Sequence, residues 1–377
     1  MLTARWIVLL LALIGCGADG SDSGPAFTET RISVGEAAAS PLVLDVNRDG
    51  VPDLAVAATG EGSISLLLGE GDGGFRDGGR VPAGQNPVHL AAGDLDEDGR
   101  TDLAVANHET DYVTFVFGTE SGFERRDHSR FRVGVSPHPH AVAVADVDGD
   151  GHLDLLVDAR SAEALRLFRG RGDGTFGEGE TIPVGGDPYR GMALGDLNGD
   201  EHLDLLTPNP RSVSVLVGDG DGGFTPAASL RAPGLTPFSV GVADVNGDGA
   251  PDVVAGSGEG EPGIAVWHGD GAGTFSPAAG APYPVASGPT SLAVHDVDGD
   301  GVDDVLATSY VGDELTILYG SRDAGDAEAL RTLRIGVAGS PWGVAAADFD
   351  GDGRSDLATA NDGSGEVSVF LARRGEP

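Results

Sequence analysis

A chain of 377 residues can hold two or three ordinary domains or one large repeat-built domain, and its composition favours the second. Gly supplies 62 residues without an every-third-residue period, which excludes a collagen-like fibre. Sixty acidic against 23 basic residues, all of them Arg, give a formal charge of −37, which excludes nucleic acid as a partner and disfavours anionic lipid surfaces.

In chain order, the first predicted element is an export signal over residues 1–15. Arg5 precedes an apolar run over 6–14, too short to span a bilayer, which takes about 20 residues. Leu13-Ile14-Gly15-Cys16 resembles a bacterial lipobox. That resemblance implies cleavage before Cys16, acylation of its sulfur and new amino group, and, with Gly17 where retained lipoproteins carry Asp, display at the outer membrane or cell surface. An ordinary secretory signal is the alternative. Cys16 is the only cysteine, so no intramolecular disulfide can form. Residues 16–26 read as a flexible tether, 27–372 as the folded body and 373–377 as a tail.

The body carries one nonapeptide, D-x-[DN]-x-D-x-x-x-D, seven times at spacings of 48 to 52 residues. That period suits one four-stranded propeller blade. Side chains at positions one, three, five and nine, with the backbone carbonyl of position seven, can converge on an ion. The seven predicted sets are Asp45, Asn47, Asp49 and Asp53 with Val51; Asp94, Asp96, Asp98 and Asp102 with Arg100; Asp146, Asp148, Asp150 and Asp154 with His152; Asp196, Asn198, Asp200 and Asp204 with His202; Asp244, Asn246, Asp248 and Asp252 with Ala250; Asp296, Asp298, Asp300 and Asp304 with Val302; and Asp348, Asp350, Asp352 and Asp356 with Arg354. Hard oxygen donors in this number suit Ca²⁺ at up to seven sites. Position six is Gly in six loops and Glu201 in the fourth, which is therefore the least regular. An EF-hand needs Glu at position twelve and a helix beyond it, whereas Val56, Val105, Val157, Thr207, Ala255, Ala307 and Thr359 stand there in strand-like runs. Plain Asp/Gly turns are the alternative, but clustered carboxylates repel by on the order of 1 kcal/mol per close pair even in water.

Each repeat reads as four strands: an Ala- and Gly-rich strand before the loop, a second after it, a third, and a Gly-rich turn ending in Phe that leads to the fourth. The sixth repeat has 323–330 in place of that turn, and an irregular edge is expected there. The seventh stops after its third strand, while residues 27–34 match the Phe-plus-fourth-strand segment, so the N-terminal strand is expected to close the last blade. The predicted fold is all-β, a seven-bladed β-propeller of four-stranded blades.

These motifs resemble the FG-GAP/VCBS repeat family, relatives of the integrin alpha-subunit propeller. The resemblance implies a Ca²⁺-binding propeller and leaves the ligand open, because the fold hosts many functions. Alternating strand directions put the Asp loops on one face and the blade-to-blade connections on the other. A Pro marks most of those connections, followed by His89, His140, Tyr189, Arg190, Phe238 and Trp342. These six are the candidate ligand residues, suited to sugar or peptide recognition, or alternatively side chains that plug the channel. The expected function is a lipid-anchored, extracytoplasmic recognition or adhesion module for a protein or glycan, monomeric, meeting membrane only through its anchor and not an enzyme. A calcium-dependent polysaccharide lyase or hydrolase is the alternative.

Overall fold

The computed structural model describes the backbone of Ala12–Leu13 and residues 26–373, apart from 121, 127–128, 135–138, 160–162, 187, 189–190 and 323–329; at 26 and 259–260 only the backbone is described. Cys16, nearly all of the export signal and tether, Tyr189, Arg190 and residues 374–377 lie outside the described residues. Among the described residues no helix is long and apolar enough to cross a membrane.

Seven antiparallel sheets form the blades, and in the first six the strands run in sequence order from inside to outside. Blade one has Ala38–Leu44, Asp53–Ala58, Ser63–Gly69 and Phe75–Pro82. Blade seven is closed by the N-terminal strand: Ala26–Ser33 pairs along its whole length with Glu366–Arg373, outside Asp356–Asn361 and Pro341–Ala347. The strands reach one residue past 27 and 372 at either end. Ala12–Leu13 adds two residue pairs at the outer edge of that strand.

Burial explains the sequence pattern. The second strand of blades one, two, three, four, six and seven is buried at every residue, because both of its faces are covered by neighbouring blades. That is why it reads as a continuous apolar run and not as an alternation. Seven apolar clusters lie one between each pair of consecutive blades. The cluster joining the last blade to the first holds Val367 and Val369 against Leu54 and Val56, with Phe349 edge-on to Phe75 at 5.3 Å. The ring is thus closed by core packing as well as by the strand.

The Gly-Phe turn of one blade docks on the Asp loop of the blade before it: Gly73 N–H donates to Phe349 O at 3.1 Å, and Gly174 N–H to Leu95 O at 2.9 Å. Blade six lacks that turn, and Ser321 N–H makes the equivalent bond to Val245 O at 2.9 Å. The irregular edge expected there is found elsewhere, a correction to the sequence reading. The outer strand of blade six, Arg331–Gly336, pairs with Glu314–Tyr319 in unbroken register. Blades two and five instead have divided outer strands, Gly122–Glu124 with Arg130–Arg132, and Phe275–Pro277 with Tyr283–Pro284. In blade five Pro277, Pro282 and Pro284 supply no N–H to a ladder. In blade two the edge is interrupted where Ser129 N–H donates to Arg126 O at 3.0 Å.

Candidate functional site: the Asp loops and the channel mouth

All seven loops fold alike. The first-position carboxylate accepts the backbone N–H of position six at 2.8–2.9 Å in every loop, and the fifth-position carboxylate accepts that of position seven at 2.8–3.0 Å. Such curling needs a left-handed residue at position six. The six glycines there have φ between +79° and +88°, and Glu201 adopts +69° with the same hydrogen bond, so the fourth loop keeps the common shape at the cost of backbone strain.

Carboxylate oxygens converge in the four loops whose third residue is Asp. Within each of the groups Asp94–Asp96–Asp102, Asp146–Asp148–Asp154, Asp296–Asp298–Asp300 and Asp348–Asp350–Asp356 they lie within 4.8 Å of one another. Oxygens about 2.4 Å from one ion are separated by no more than about twice that, so these clusters could hold a hard divalent cation. Loops one, four and five place Asn47, Asn198 and Asn246 at the third position, each donating from Nδ2 to the fifth-position Asp at 2.9–3.0 Å.

The ninth-position Asp does more than the sequence indicates. Asp53, Asp102, Asp154, Asp204, Asp252, Asp304 and Asp356 are wholly buried. Both oxygens of each accept backbone N–H bonds of 2.7–3.1 Å, one from the second loop residue and one from a residue within one position of the end of strand three. Each carboxylate therefore staples its loop to the third strand, whether or not it also serves an ion. Burial, despite those donors, pushes Asp102 and Asp356 up to about 6 and Asp304 up to about 7.

This sets a pH dependence for the cation-free protein. A carboxyl whose folded pKa lies above its unfolded value near 4 adds stability in full below that value, and loses it as pH rises through the folded one. His89, which burial pushes down to about 4, works in the opposite sense between pH 5 and 7. The comparison must therefore be internal: in chelator, Asp304→Asn should lose less stability than the parent between pH 5 and pH 8. Parallel pH profiles would contradict the assignment.

At the other end of the first strands lies a cavity of about 420 Å³, on the ring axis and lined from all seven blades. His89, His140, Phe238 and Trp342 all line it; His140 and Phe238 are buried, His89 and Trp342 half-buried. Prolines explain how Phe238 and Trp342 arrive there. Register breaks between Pro87 and His89, Pro237 and Ser239, Pro289 and Ser291, and Pro341 and Gly343 bulge out Val88, Phe238, Thr290 and Trp342, and the break at Ala39/Pro41 does the same to Ser40. A bulge re-aims a side chain, and all five of these residues line the cavity.

Sequence reasoning missed a second ring. Thr59, His108 and Asp362 stand six residues after a ninth-position Asp, at the end of strand two, and line the same cavity. That constant offset was the available signal. The His108 and His140 rings lie 4.2 Å apart, and Tyr310, at the same offset, donates from its hydroxyl to Asp362 at 2.9 Å and stands edge-on to Trp342 at 5.5 Å. His89 accepts the Val142 N–H at 3.5 Å and is neutral at physiological pH. The mouth thus combines aromatic faces with scattered donors and acceptors, in a volume typical of small-ligand pockets.

A family model described as an FG-GAP-like repeat matches residues 45–105, 97–157, 159–207, 196–255, 244–307 and 296–359. The six windows take in all seven Asp loops, since the first begins at Asp45 and each ends at the twelfth position of one of loops two to seven. No curated protein matches the chain. Among solved structures, BBS1N in its crystal structure with ARL6DN is 10% identical over 89% of this chain and 92% of that one, with a TM-score of 0.62. An Agrocybe aegerita lectin, whose structure concerns specific recognition of non-reducing terminal N-acetylglucosamine, is 18% identical over 87% of this chain and 86% of that one, with a TM-score of 0.53. At these identities the likeness is one of fold.

Proposed function

The chain belongs to the FG-GAP-like repeat family, and on that premise we propose that it is a recognition module whose Asp loops bind Ca²⁺ and whose channel mouth takes a glycan or peptide. The observation that carries the reading is the cavity: bulged residues from several blades converge on it, half-buried Trp342 and His89 leave surface at its mouth, and no comparable construction is needed merely to close a ring. That one structural neighbour was solved with a protein partner and another recognises a terminal sugar fits a propeller used as a binding platform. The calcium assignment is supported by the all-oxygen donor sets and by the convergence of carboxylates in four loops.

In this reading the loops stiffen one face while the opposite face selects the ligand. Trp342→Ala should weaken binding to a glycan- or peptide-array hit by about tenfold or more, the loss of roughly 1.4 kcal/mol, with little change in melting temperature. Equal loss of stability and binding would make Trp342 a packing residue, and turnover of a polysaccharide on the array would contradict the non-catalytic reading.

We further propose that Cys16 carries the lipid anchor and that the propeller works outside the cytoplasm. Cys16→Ser should move the protein from the membrane to the soluble fraction, because several acyl chains anchor stably where one is marginal. Unchanged partitioning would remove the anchor.

A further inference from the structure

The seven loops divide into two kinds, and arginine follows the division. Loops one, four and five have Asn at the third position and three ligand carboxylates each; loops two, three, six and seven have Asp there and four. Among the described residues, every loop of the second kind has an Arg guanidinium paired with a third- or fifth-position carboxylate. Arg126 pairs with Asp96 at 2.5 Å, Arg169 with Asp148, Arg331 with Asp298 at 3.6 Å, and Arg354 with Asp352. Loop two has a second pair, Arg100 with Asp98 at 2.9 Å. Among the described residues no Arg is paired with a ligand carboxylate of loops one, four or five.

The guanidinium arrives by different routes. The residue before the backbone donor to the ninth-position Asp (Gly118, Gly170, Gly320) is Arg169 in blade three, and it reaches Asp148 directly while also pairing with Glu180 at 3.0 Å. At that position blades two and six have Phe117 and Tyr319, and an Arg from further along the chain lies over each ring, Arg126 at 4.2 Å and Arg331 at 3.8 Å from the centroid, to reach Asp96 and Asp298. In blade seven the charge comes from Arg354 within the loop itself. Three unrelated chain positions thus deliver the same group to the same kind of loop. A chance surface ion pair would not track the Asn/Asp choice.

We propose that Arg126, Arg169, Arg331 and Arg354 are built-in counter-ions, which offset the extra third-position carboxylate so that each loop offers a similar charge to a divalent cation. Four carboxylates less one guanidinium leave three negative charges in loops three, six and seven, the number present in loops one, four and five; loop two, with two guanidiniums, keeps two. The third-position Asp148 and Asp96 side chains are only 10% and 9% exposed, so solvent screens them poorly and an internal cation matters. Asp plus Arg is then equivalent to Asn alone. The part concerning the cation rests on the calcium reading above; the part concerning charge does not.

A double-mutant cycle separates the two. In chelator, Arg169→Gln should lower the melting temperature of the full chain by about 2–4 °C, and adding Asp148→Asn should restore part of it, the remainder being the lost bonds of Arg169 to Glu180 and to Asp221 O. In calcium, the difference between loaded and chelated melting temperatures should widen in Arg169→Gln, narrow in Asp148→Asn, and return to the parent value in the double variant. Additive losses in chelator, with no restoration, would overturn the counter-ion. If Arg169→Gln fails to fold, Arg331→Gln with Asp298→Asn repeats the cycle in blade six. A parent that melts identically with and without calcium would overturn the calcium reading alone, and the chelator cycle would still decide the counter-ion.

Discussion

Deleting residues 26–33 is expected to open the ring. Those residues form the eight-pair ladder on Glu366–Arg373, and their side chains are built into it: Ser368 donates to Glu29 at 2.8 Å and Arg373 to Thr28 at 2.9 Å. Phe27 belongs to the core between blades six and seven, and Ile32 packs into the core between seven and one. The deletion would strip both clusters and expose an apolar strand with unpaired backbone groups, which is a template for association. A loss above about 4 kcal/mol is expected, with aggregation or strand-exchanged dimers, and a synthetic peptide of the deleted sequence should recover monomer. A truncated chain that stays monomeric and melts like the parent would mean that the seventh blade closes without this strand.

The second large effect is expected from removing divalent cations. An ion held by the native state and not by the unfolded chain stabilises by about 2.7 kcal/mol per site at a hundredfold excess over Kd. Even four such sites would sum to on the order of 10 kcal/mol, comparable to the whole stability of an ordinary domain. The chelated protein should therefore melt more than about ten degrees lower or lose its near-ultraviolet signal, and calcium should restore it better than equal magnesium, which prefers fewer protein ligands and more water. Asp146→Ala should reproduce part of the loss in one loop, since it removes a ligand and the acceptor for Gly149 and Gly151 N–H. A melting curve indifferent to chelator would return the loops to plain Asp/Gly turns.

What could be read in the sequence was what repeats at fixed spacing. The Asp nonapeptide gave the blade count and the loops, and the Phe27 segment gave the closing strand, because both are local patterns with copies for comparison. The ninth-position staple was hidden for the opposite reason. Asp154 fits a ligand pattern within its nonapeptide, and only the fold shows Gly170 N–H arriving from sixteen residues away. The arginine pairs were illegible because their offsets vary: Arg126 lies 30 residues from Asp96 and Arg169 lies 21 from Asp148. At the channel mouth, the prolines pointed to Phe238 and Trp342, but that they are aimed inward by bulges depends on a strand-pairing register the sequence does not display. The missing Gly-Phe turn of blade six points to an irregular edge there, whereas the divided edges are those of blade five, with its prolines, and blade two, where Ser129 bonds back to Arg126.

The most direct test of the central claim is the amount of calcium bound per chain, measured by elemental analysis of protein dialysed against trace calcium and again after chelation and reloading. Between four and seven ions per chain, lost together with the melting transition on chelation and regained with it, is the expected result. A folded, ligand-binding protein that carries no calcium in either state would contradict the account.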